Sequence, residues 1–231
     1  MSPRLWAIAT VVTGVATLGI SIAFGMLPAV QAAGACFQRG AVIQFEFARN
    51  LSDLIAIFGE PQSACRPLVV TAMDGANQLD VWLFIPTYTL FCICAALFLA
   101  GADWRRPLVI VAIGAAFMAA GADYLETITL LTLTQTLDAP ASLLQYSQLG
   151  AWSKFALLAA HAVFCAGICY VSEKKRYTLG AVLMLPPFGL AGAAYDHVTL
   201  STVMSAGFAV AWVALLVSAI VSVARAKGAP A

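Results

Sequence analysis

Six long apolar runs dominate this sequence, and each is long enough to cross a lipid bilayer, which requires about 20 apolar residues. We predict membrane spans at about 5–30, 79–101, 108–134, 149–171, 179–200 and 203–223. The composition supports this prediction, because 62% of the residues are hydrophobic and 10% are charged, whereas soluble domains carry about 25% charged residues. We therefore expect an all-α integral membrane bundle that forms a single transmembrane domain over residues 1–231.

The charge balance limits the partners that such a chain can have. The formal net charge is +1, and no basic stripe of the kind that binds nucleic acid is present in the sequence. We expect the lipid bilayer to be the main partner, together with a lipid-like ligand, and no nucleic acid. The sequence leaves open whether the protein forms an oligomer or belongs to a larger membrane complex.

The segment at about 31–78 lies between the first two predicted spans and is the longest part of the chain outside a span. Mixed helical spacing predicts one or two short helices on the membrane face, or else a loop packed on the bundle. Cys36 and Cys65 lie within this cap, and in an oxidising compartment they are candidates for a disulfide. The first span is either a retained anchor, which we favour, or a cleaved signal peptide.

The distribution of basic residues predicts the orientation of the six spans. Cytoplasmic loops of membrane proteins are enriched in lysine and arginine. With six spans, the following basic residues fall on one side: Arg4, Arg105, Arg106, Lys174, Lys175, Arg176, Arg225 and Lys227. We therefore expect both termini in the cytoplasm and the cap outside.

Ionisable residues inside the third and fourth spans are the strongest functional signal. Asp123 and Glu126 lie three residues apart on one helical face, and Lys154 and His161 share a face of the next span. Charged groups at membrane depth are costly and usually face a partner or a polar cavity. Sequential antiparallel spans are usually neighbours, so Lys154 can pair with Asp123 or Glu126. We take these four residues as catalytic candidates, with a purely structural ion pair as the alternative.

Three stretches of the sequence resemble motifs of a group of uncharacterised bacterial polytopic membrane proteins. These stretches are Phe45-Glu46-Phe47-Ala48-Arg49, Asp80-Val81-Trp82-Leu83-Phe84-Ile85-Pro86-Thr87-Tyr88 and Ala122-Asp123-Tyr124-Leu125-Glu126. They are similar to an FELAR-like stretch, a D-x-x-x-F-I-P-x-Y entry to a span, and a D-Y-x-E stretch that ends in asparagine. Phe47 stands in place of the leucine and Thr127 in place of the asparagine. The resemblance implies a location in a bacterial inner membrane. It implies no activity, but it joins Glu46, Arg49, Asp80 and Tyr88 to the candidate set.

The substrate-binding candidates are therefore Glu46, Arg49, Asp80, Tyr88, Asp196 and His197. Asp196 and His197 lie near the end of the fifth predicted span, where solvated capping residues are the alternative interpretation.

Three functions fit these candidates. We expect the candidates to line a polar pocket in the outer half of the bundle. The first function is then an acid/base enzyme on a lipid or isoprenoid-like substrate, with Asp123 and Glu126 as the acid/base pair. In a less favoured variant of this enzyme, Asp123, Glu126, His161 and His197 bind a divalent metal. Apart from this variant, we expect no metal and no cofactor. The second function is ligand or lipid binding, or transport. The third is a non-catalytic accessory subunit of a membrane complex.

Overall fold

The computed structural model describes residues 2–38, 40–103, 106–138, 141–172, 175–196 and 199–227. Every regular element within these ranges is a helix, so the all-α prediction is confirmed. Six helical stretches in the described ranges are long and apolar enough to cross a membrane: Pro3–Cys36, Cys65–Ala100, Pro107–Leu133, Ser142–Val171, Tyr177–Tyr195 and Ser201–Arg225. The chain is therefore a multi-pass membrane protein.

The helices follow one another with short connections. They are α1 (Pro3–Met26), α2 (Pro28–Ala33), α3 (Ala41–Glu46), α4 (Leu51–Phe58), α5 (Cys65–Leu79), α6 (Ile85–Ala100), α7 (Pro107–Leu133), α8 (Ala141–Val171), α9 (Tyr177–Val182), α10 (Leu185–Tyr195) and α11 (Ser201–Lys227). A short 3₁₀ turn over Gly34–Cys36 follows α2, and a π-helical turn over Asp80–Phe84 joins α5 to α6.

Two helices begin earlier than the predicted spans. The second predicted span starts at about residue 79, but α5 starts at Cys65, and α8 starts at Ala141 rather than at about residue 149. The added turns of α5 have one buried and one exposed face, since Val69 and Met73 are buried while Leu68 is exposed. A search for uniformly apolar runs misses such amphipathic extensions. The cap outside the helical spans is therefore shorter than predicted, and we define it as residues 37–64.

Pro86 explains the π-helical turn between α5 and α6. Proline has no N–H and cannot close the helical hydrogen bond of its own turn. Immediately before it, the backbone N–H of Ile85 donates to the carbonyl oxygen of Asp80, five residues back. This wider turn lets the helix continue through the proline and places Asp80 at the irregularity. Such single π turns are often found at functional sites.

The chain divides into two compact units, and the first comprises residues 1–18, 87–119 and 155–231. Its core contains many small, fully buried side chains, among them Ala95, Ala112 and Cys165. The helices approach closely, because a Cβ added at Gly14 would lie 2.8 Å from the Phe91 ring. Small residues allow such close packing between membrane helices.

The second unit comprises residues 19–86 and 120–154 and includes the cap. The two cap helices, α3 and α4, bury Phe45, Leu54 and Phe58 in a core shared with Met73 of α5 and Leu130 of α7. The rings of Phe45 and Phe58 meet edge to face, with centroids 4.9 Å apart. The cap is therefore packed on the spanning helices of its own unit through a large aromatic contact.

Local features fix both ends of α4 and the flanks of the cap. The Asn50 side chain caps α4 by accepting a hydrogen bond of 3.0 Å from the backbone N–H of Asp53. Gly59 ends α4 with a φ of +83°, a conformation that side chains disfavour. A disulfide joins Cys36 to Cys65, the pair proposed from the sequence, and ties the two flanks of the cap together.

Candidate functional site

One lysine in the second unit holds three carboxylates. The Lys154 Nζ atom lies 2.7 Å from Glu126 Oε2, 3.1 Å from Glu46 Oε2 and 3.2 Å from Asp123 Oδ1. The side-chain exposures are 7% for Lys154, 0% for Glu126, 3% for Asp123 and 13% for Glu46. These four residues form a buried ionic cluster, which we call the carboxylate cluster.

The helix geometry of α7 and α8 builds most of this cluster. Asp123 and Glu126 lie three residues apart on α7, so both carboxylates project from one face. Gly150 lies four residues before Lys154 on α8, one turn away. A Cβ added at Gly150 would lie 2.7 Å from Glu126 Cβ and 2.9 Å from its backbone. The missing side chain at Gly150 therefore lets the two helices come close enough for Lys154 to reach both acids.

The cap supplies the third carboxylate. Glu46 is the last residue of α3, and two contacts to α8 hold this end of the cap. The Gln148 side chain donates a hydrogen bond of 3.0 Å to the carbonyl oxygen of Ala48, and the Phe47 ring lies 4.8 Å from the Trp152 ring. A surface segment thus places an acidic group on a lysine that belongs to a spanning helix.

Thr127 of α7 and Thr134, the residue that directly follows α7, bond to aspartates of the preceding helical segment. The Thr127 hydroxyl donates to Asp80 Oδ2 at 2.9 Å, and the Thr134 hydroxyl donates to Asp74 Oδ1 at 2.7 Å. Thr127 is itself 1% exposed. These bonds position Asp80 in the same unit as the carboxylate cluster. They also give Thr127 a definite partner.

The charges in the cluster do not balance. Three carboxylates face one ammonium, so full ionisation would leave two negative charges in excess inside a buried site. Burial raises the pKa of the Glu46 carboxyl above its ordinary value, although the adjacent Lys154 ammonium lowers it. A proton on one of the three acids would remove part of this excess charge.

One oxygen of the Glu126 carboxyl also has no hydrogen-bond donor among the described residues. Its Oε1 atom is buried and accepts no hydrogen bond from the residues that the structure describes. A buried acceptor without a donor is costly, so a proton on a neighbouring carboxyl or a ligand N–H or O–H would stabilise it. The arrangement can therefore hold a proton, release it, or bind a group that brings one.

The remaining candidate of the second unit is Arg49. The Arg49 side chain is exposed, and its backbone N–H donates to Asp53 Oδ2 at 2.7 Å. Arg49 therefore stabilises the start of α4 through its backbone, and its guanidinium is free to meet solvent or headgroups.

Two other candidates, Tyr88 and His161, belong to the first unit. The buried Tyr88 ring stacks on Trp212 with centroids 5.6 Å apart. His161 Nδ1 lies 3.0 Å from the carbonyl oxygen of Ala112, and its Nε2 lies 3.4 Å from Cys165 Sγ. Each of these side chains therefore has a defined local partner.

Asp196 caps a turn before α11. The Asp196 Oδ1 atom accepts a hydrogen bond of 3.1 Å from the backbone N–H of Thr199. This geometry matches the capping interpretation. His197 lies outside the described residues.

No group of three or more histidine, cysteine, aspartate or glutamate side chains is arranged to hold a metal ion within the described ranges. Of the four residues in the metal-dependent variant, Asp123 and Glu126 are instead bound to Lys154, and His161 contacts a carbonyl oxygen.

Sequence reasoning missed two features of this site. It placed Glu46 among the binding candidates without pairing it with Lys154, because no periodicity links a cap residue to a distant helix. It also overlooked Gly150, although a glycine one helical turn from a buried lysine indicates a close helix approach.

Comparisons of the chain with known protein families, with curated proteins and with solved structures find no match. The resemblance to the FELAR-like group therefore stays a prediction, and the function has to be argued from the residues themselves.

Proposed function

We propose that this multi-pass membrane protein is an acid/base enzyme that acts on a lipid or isoprenoid-like substrate, with the carboxylate cluster as proton donor and acceptor. The observation that carries the proposal is the contact of Glu46, Asp123 and Glu126 with the single ammonium of Lys154.

The excess of carboxylates supports a protonated group at neutral pH. An uncompensated charge in a buried site costs several kcal/mol, and protonation of a carboxylate removes that cost. Lys154 can balance one of the three acids, so the others are stabilised by taking up protons. A carboxylic acid that stays neutral at pH 7 next to an ionised one is the usual arrangement for proton transfer in an active site.

The chemistry follows from these protonation states. The acid form of Glu126 or Glu46 donates its proton to one carbon of a substrate double bond, and the carboxylate left behind is stabilised by Lys154. The positive charge then lies on the other carbon of the former double bond. Asp123, acting as the base, takes a proton from the next carbon along, on the far side of that charge, so that the double bond moves by one position and no proton is gained or lost overall. Both steps are general acid/base steps of the kind that positioned carboxyl groups perform.

The proposed setting is a bacterial inner membrane, with both termini in the cytoplasm and the cap outside. Of the described residues, Arg4, Arg106, Lys175, Arg176 and Arg225 support this orientation through the positive-inside rule. The Cys36–Cys65 disulfide supports it independently, because disulfides persist in oxidising compartments. Lipid substrates would then meet the carboxylate cluster beneath a cap that faces the periplasm.

Hydrogen exchange into lipids tests the proposal. The purified full-length protein is incubated in D₂O with a bacterial lipid extract, and mass spectrometry follows deuterium in the hydrocarbon part of each lipid. We expect deuterium in an unsaturated lipid, and at least a hundredfold slower incorporation with Glu126→Gln or Asp123→Asn, since general acid/base catalysis contributes about 10²–10⁴-fold.

Glu60→Gln is the matched control, because Glu60 is an exposed carboxylate of the cap. It should leave the exchange rate unchanged. Thermal unfolding of each variant separates a site from a scaffold. The enzyme proposal is wrong if no lipid takes up deuterium with the wild-type protein. It is also wrong if Glu126→Gln and Asp123→Asn fold normally and keep the wild-type exchange rate.

A second candidate function is the binding of a lipid or solute that carries a cationic group. The two carboxylates in excess and the Glu126 oxygen without a donor favour it, since an ammonium would supply both charge and hydrogen bonds. Native mass spectrometry with phosphatidylethanolamine and phosphatidylcholine tests this function. If this function is correct, the protein retains phosphatidylethanolamine, the lipid with a primary amine. Glu126→Gln should abolish this retention, and Glu60→Gln should not.

A further inference from the structure

A cavity in the first unit lies among the ends of several spanning helices, and it plays no part in the proton chemistry proposed above. Its volume is about 450 Å³, within the range of about 300–1,000 Å³ that is usual for small-molecule sites. Residues from the start of α1, the end of α6, the start of α7, the link before α9 and the end of α11 line it.

The charged residues that line this cavity are mostly basic. Among the described lining residues, Arg4, Arg106 and Arg176 are accompanied by one carboxylate, that of Asp103. Arg106 Nε lies 2.6 Å from Asp103 Oδ2, so this arginine is already paired. The positive charges of Arg4 and Arg176 are left without a carboxylate among these lining residues.

Arg176 is held in place while part of its hydrogen-bonding capacity stays unused. Its guanidinium carbon lies 4.5 Å from the centroid of the Phe98 ring, a cation–π contact. Its Nη1 atom is buried and has no hydrogen-bond partner among the described residues. Burial lowers the pKa of the Arg176 guanidinium from its ordinary value, so an anion beside it would stabilise the charged form.

Further donors surround the same space. The hydroxyl-bearing residues Ser172 and Ser222 line the cavity. The long helices α1 and α7 both begin beside it, at Pro3 and Pro107, and the first turn of a helix favours a nearby negative charge. Planar guanidinium groups match the geometry of phosphate oxygens.

We propose that this arginine-lined cavity binds a phosphate group, which is supplied either by the headgroup of an anionic phospholipid or by a free phosphate anion. Arg176 and Arg4 provide the charge, and the unpaired Nη1 of Arg176 donates directly to a phosphate oxygen. Basic pockets at the ends of membrane helices are known to hold anionic headgroups, so the chemistry is the same for both sources.

Binding is tested with the delipidated full-length protein in a zwitterionic detergent. The probes are phosphatidylglycerol, phosphatidylcholine and inorganic phosphate, and the readouts are native mass spectrometry and the midpoint of thermal unfolding. We expect phosphatidylglycerol to bind and to raise the unfolding midpoint while phosphatidylcholine does not. Arg176→Gln and Arg4→Gln should each weaken binding about tenfold, as the loss of a charge-assisted hydrogen bond requires.

Lys175→Gln is the control, because Lys175 is an exposed neighbour of Arg176 that does not line the cavity. Arg4 is exposed, so Arg4→Gln keeps the test valid if Arg176→Gln unfolds. Stabilisation by inorganic phosphate with the same arginine dependence identifies a free anion as ligand, and its absence identifies the lipid headgroup. The proposal fails if phosphatidylglycerol and phosphate both leave the midpoint unchanged, or if Lys175→Gln weakens binding as much as the arginine variants.

Discussion

Replacing Lys154 by methionine is the sharpest perturbation of the carboxylate cluster. Methionine keeps most of the length and the apolar stem of the side chain but removes the ammonium that lies within 3.2 Å of Glu46, Asp123 and Glu126. The three acids would remain in place, with side-chain exposures of 13%, 3% and 0%. Their negative charge would then have no positive partner in the cluster.

The expected loss is large and depends on pH. Removing one partner of a buried ion pair costs about 3–5 kcal/mol of unfolding free energy. Protons can replace the ammonium as the neutralising charge, so the loss should shrink as the pH falls and grow as it rises. Adding Glu126→Gln to Lys154→Met should restore about 0.5–3 kcal/mol, which is the usual coupling between residues in contact.

Titration with sodium dodecyl sulfate, followed by tryptophan fluorescence at several pH values, measures these free energies. Lys175→Met is the control, because Lys175 is exposed and a surface substitution should stay within about 0.5 kcal/mol. A loss below about 1 kcal/mol for Lys154→Met, or the same loss at every pH, would refute the view that this lysine neutralises a buried excess of acids.

Three further predictions concern the framework of the cluster. Gly150→Ala should lower the free energy of unfolding by about 1–3 kcal/mol, because the added Cβ forces α8 away from Glu126. Gly121→Ala is the control: a Cβ at Gly121 meets nothing within 4 Å, so this variant should be neutral or slightly stabilising. Chemical unfolding of both variants checks this prediction. Cys36→Ser should lower the unfolding free energy by about 2–4 kcal/mol through loss of the disulfide, and a reducing agent should lower the unfolding midpoint of the wild-type protein but not of this variant. Burial raises the pKa of the Glu46 carboxyl. The contribution of Glu46 to stability is therefore present below the pKa that it has in the unfolded chain and is lost as the pH rises through its folded pKa. The free energy of unfolding of Glu46→Gln should gain on that of the wild type with rising pH, and a relative loss would contradict this.

The sequence predicts the contact between α7 and α8 because helix spacing and span topology are enough to bring its residues together. The three-residue spacing of Asp123 and Glu126 places them on one helical face, and the topology of adjacent spans brings Lys154 near. The structure shows that Lys154 contacts both acids, where the sequence left the choice between them open. The chemical role of the contact stays a prediction.

The contribution of the cap could not be predicted in the same way. Glu46 reaches Lys154 across 108 positions of sequence, and its place depends on the packing of Phe45 and Phe47, which no local pattern encodes. The arginine-lined cavity was missed for a related reason. Arg4, Arg106 and Arg176 were interpreted as markers of orientation, and only the folded chain brings them around one space.

The protonation of the carboxylate cluster is the central claim, and infrared difference spectroscopy measures it directly. The carbonyl stretch of a protonated carboxyl group is distinct from the bands of a carboxylate, and its shift in D₂O reports an exchangeable proton. Spectra of the purified protein at pH 7 are compared with those of Glu46→Gln and Glu126→Gln. We predict a protonated-carboxyl band at pH 7 that is lost or shifted in at least one of these variants; a spectrum at pH 7 that contains carboxylate bands alone would contradict the account.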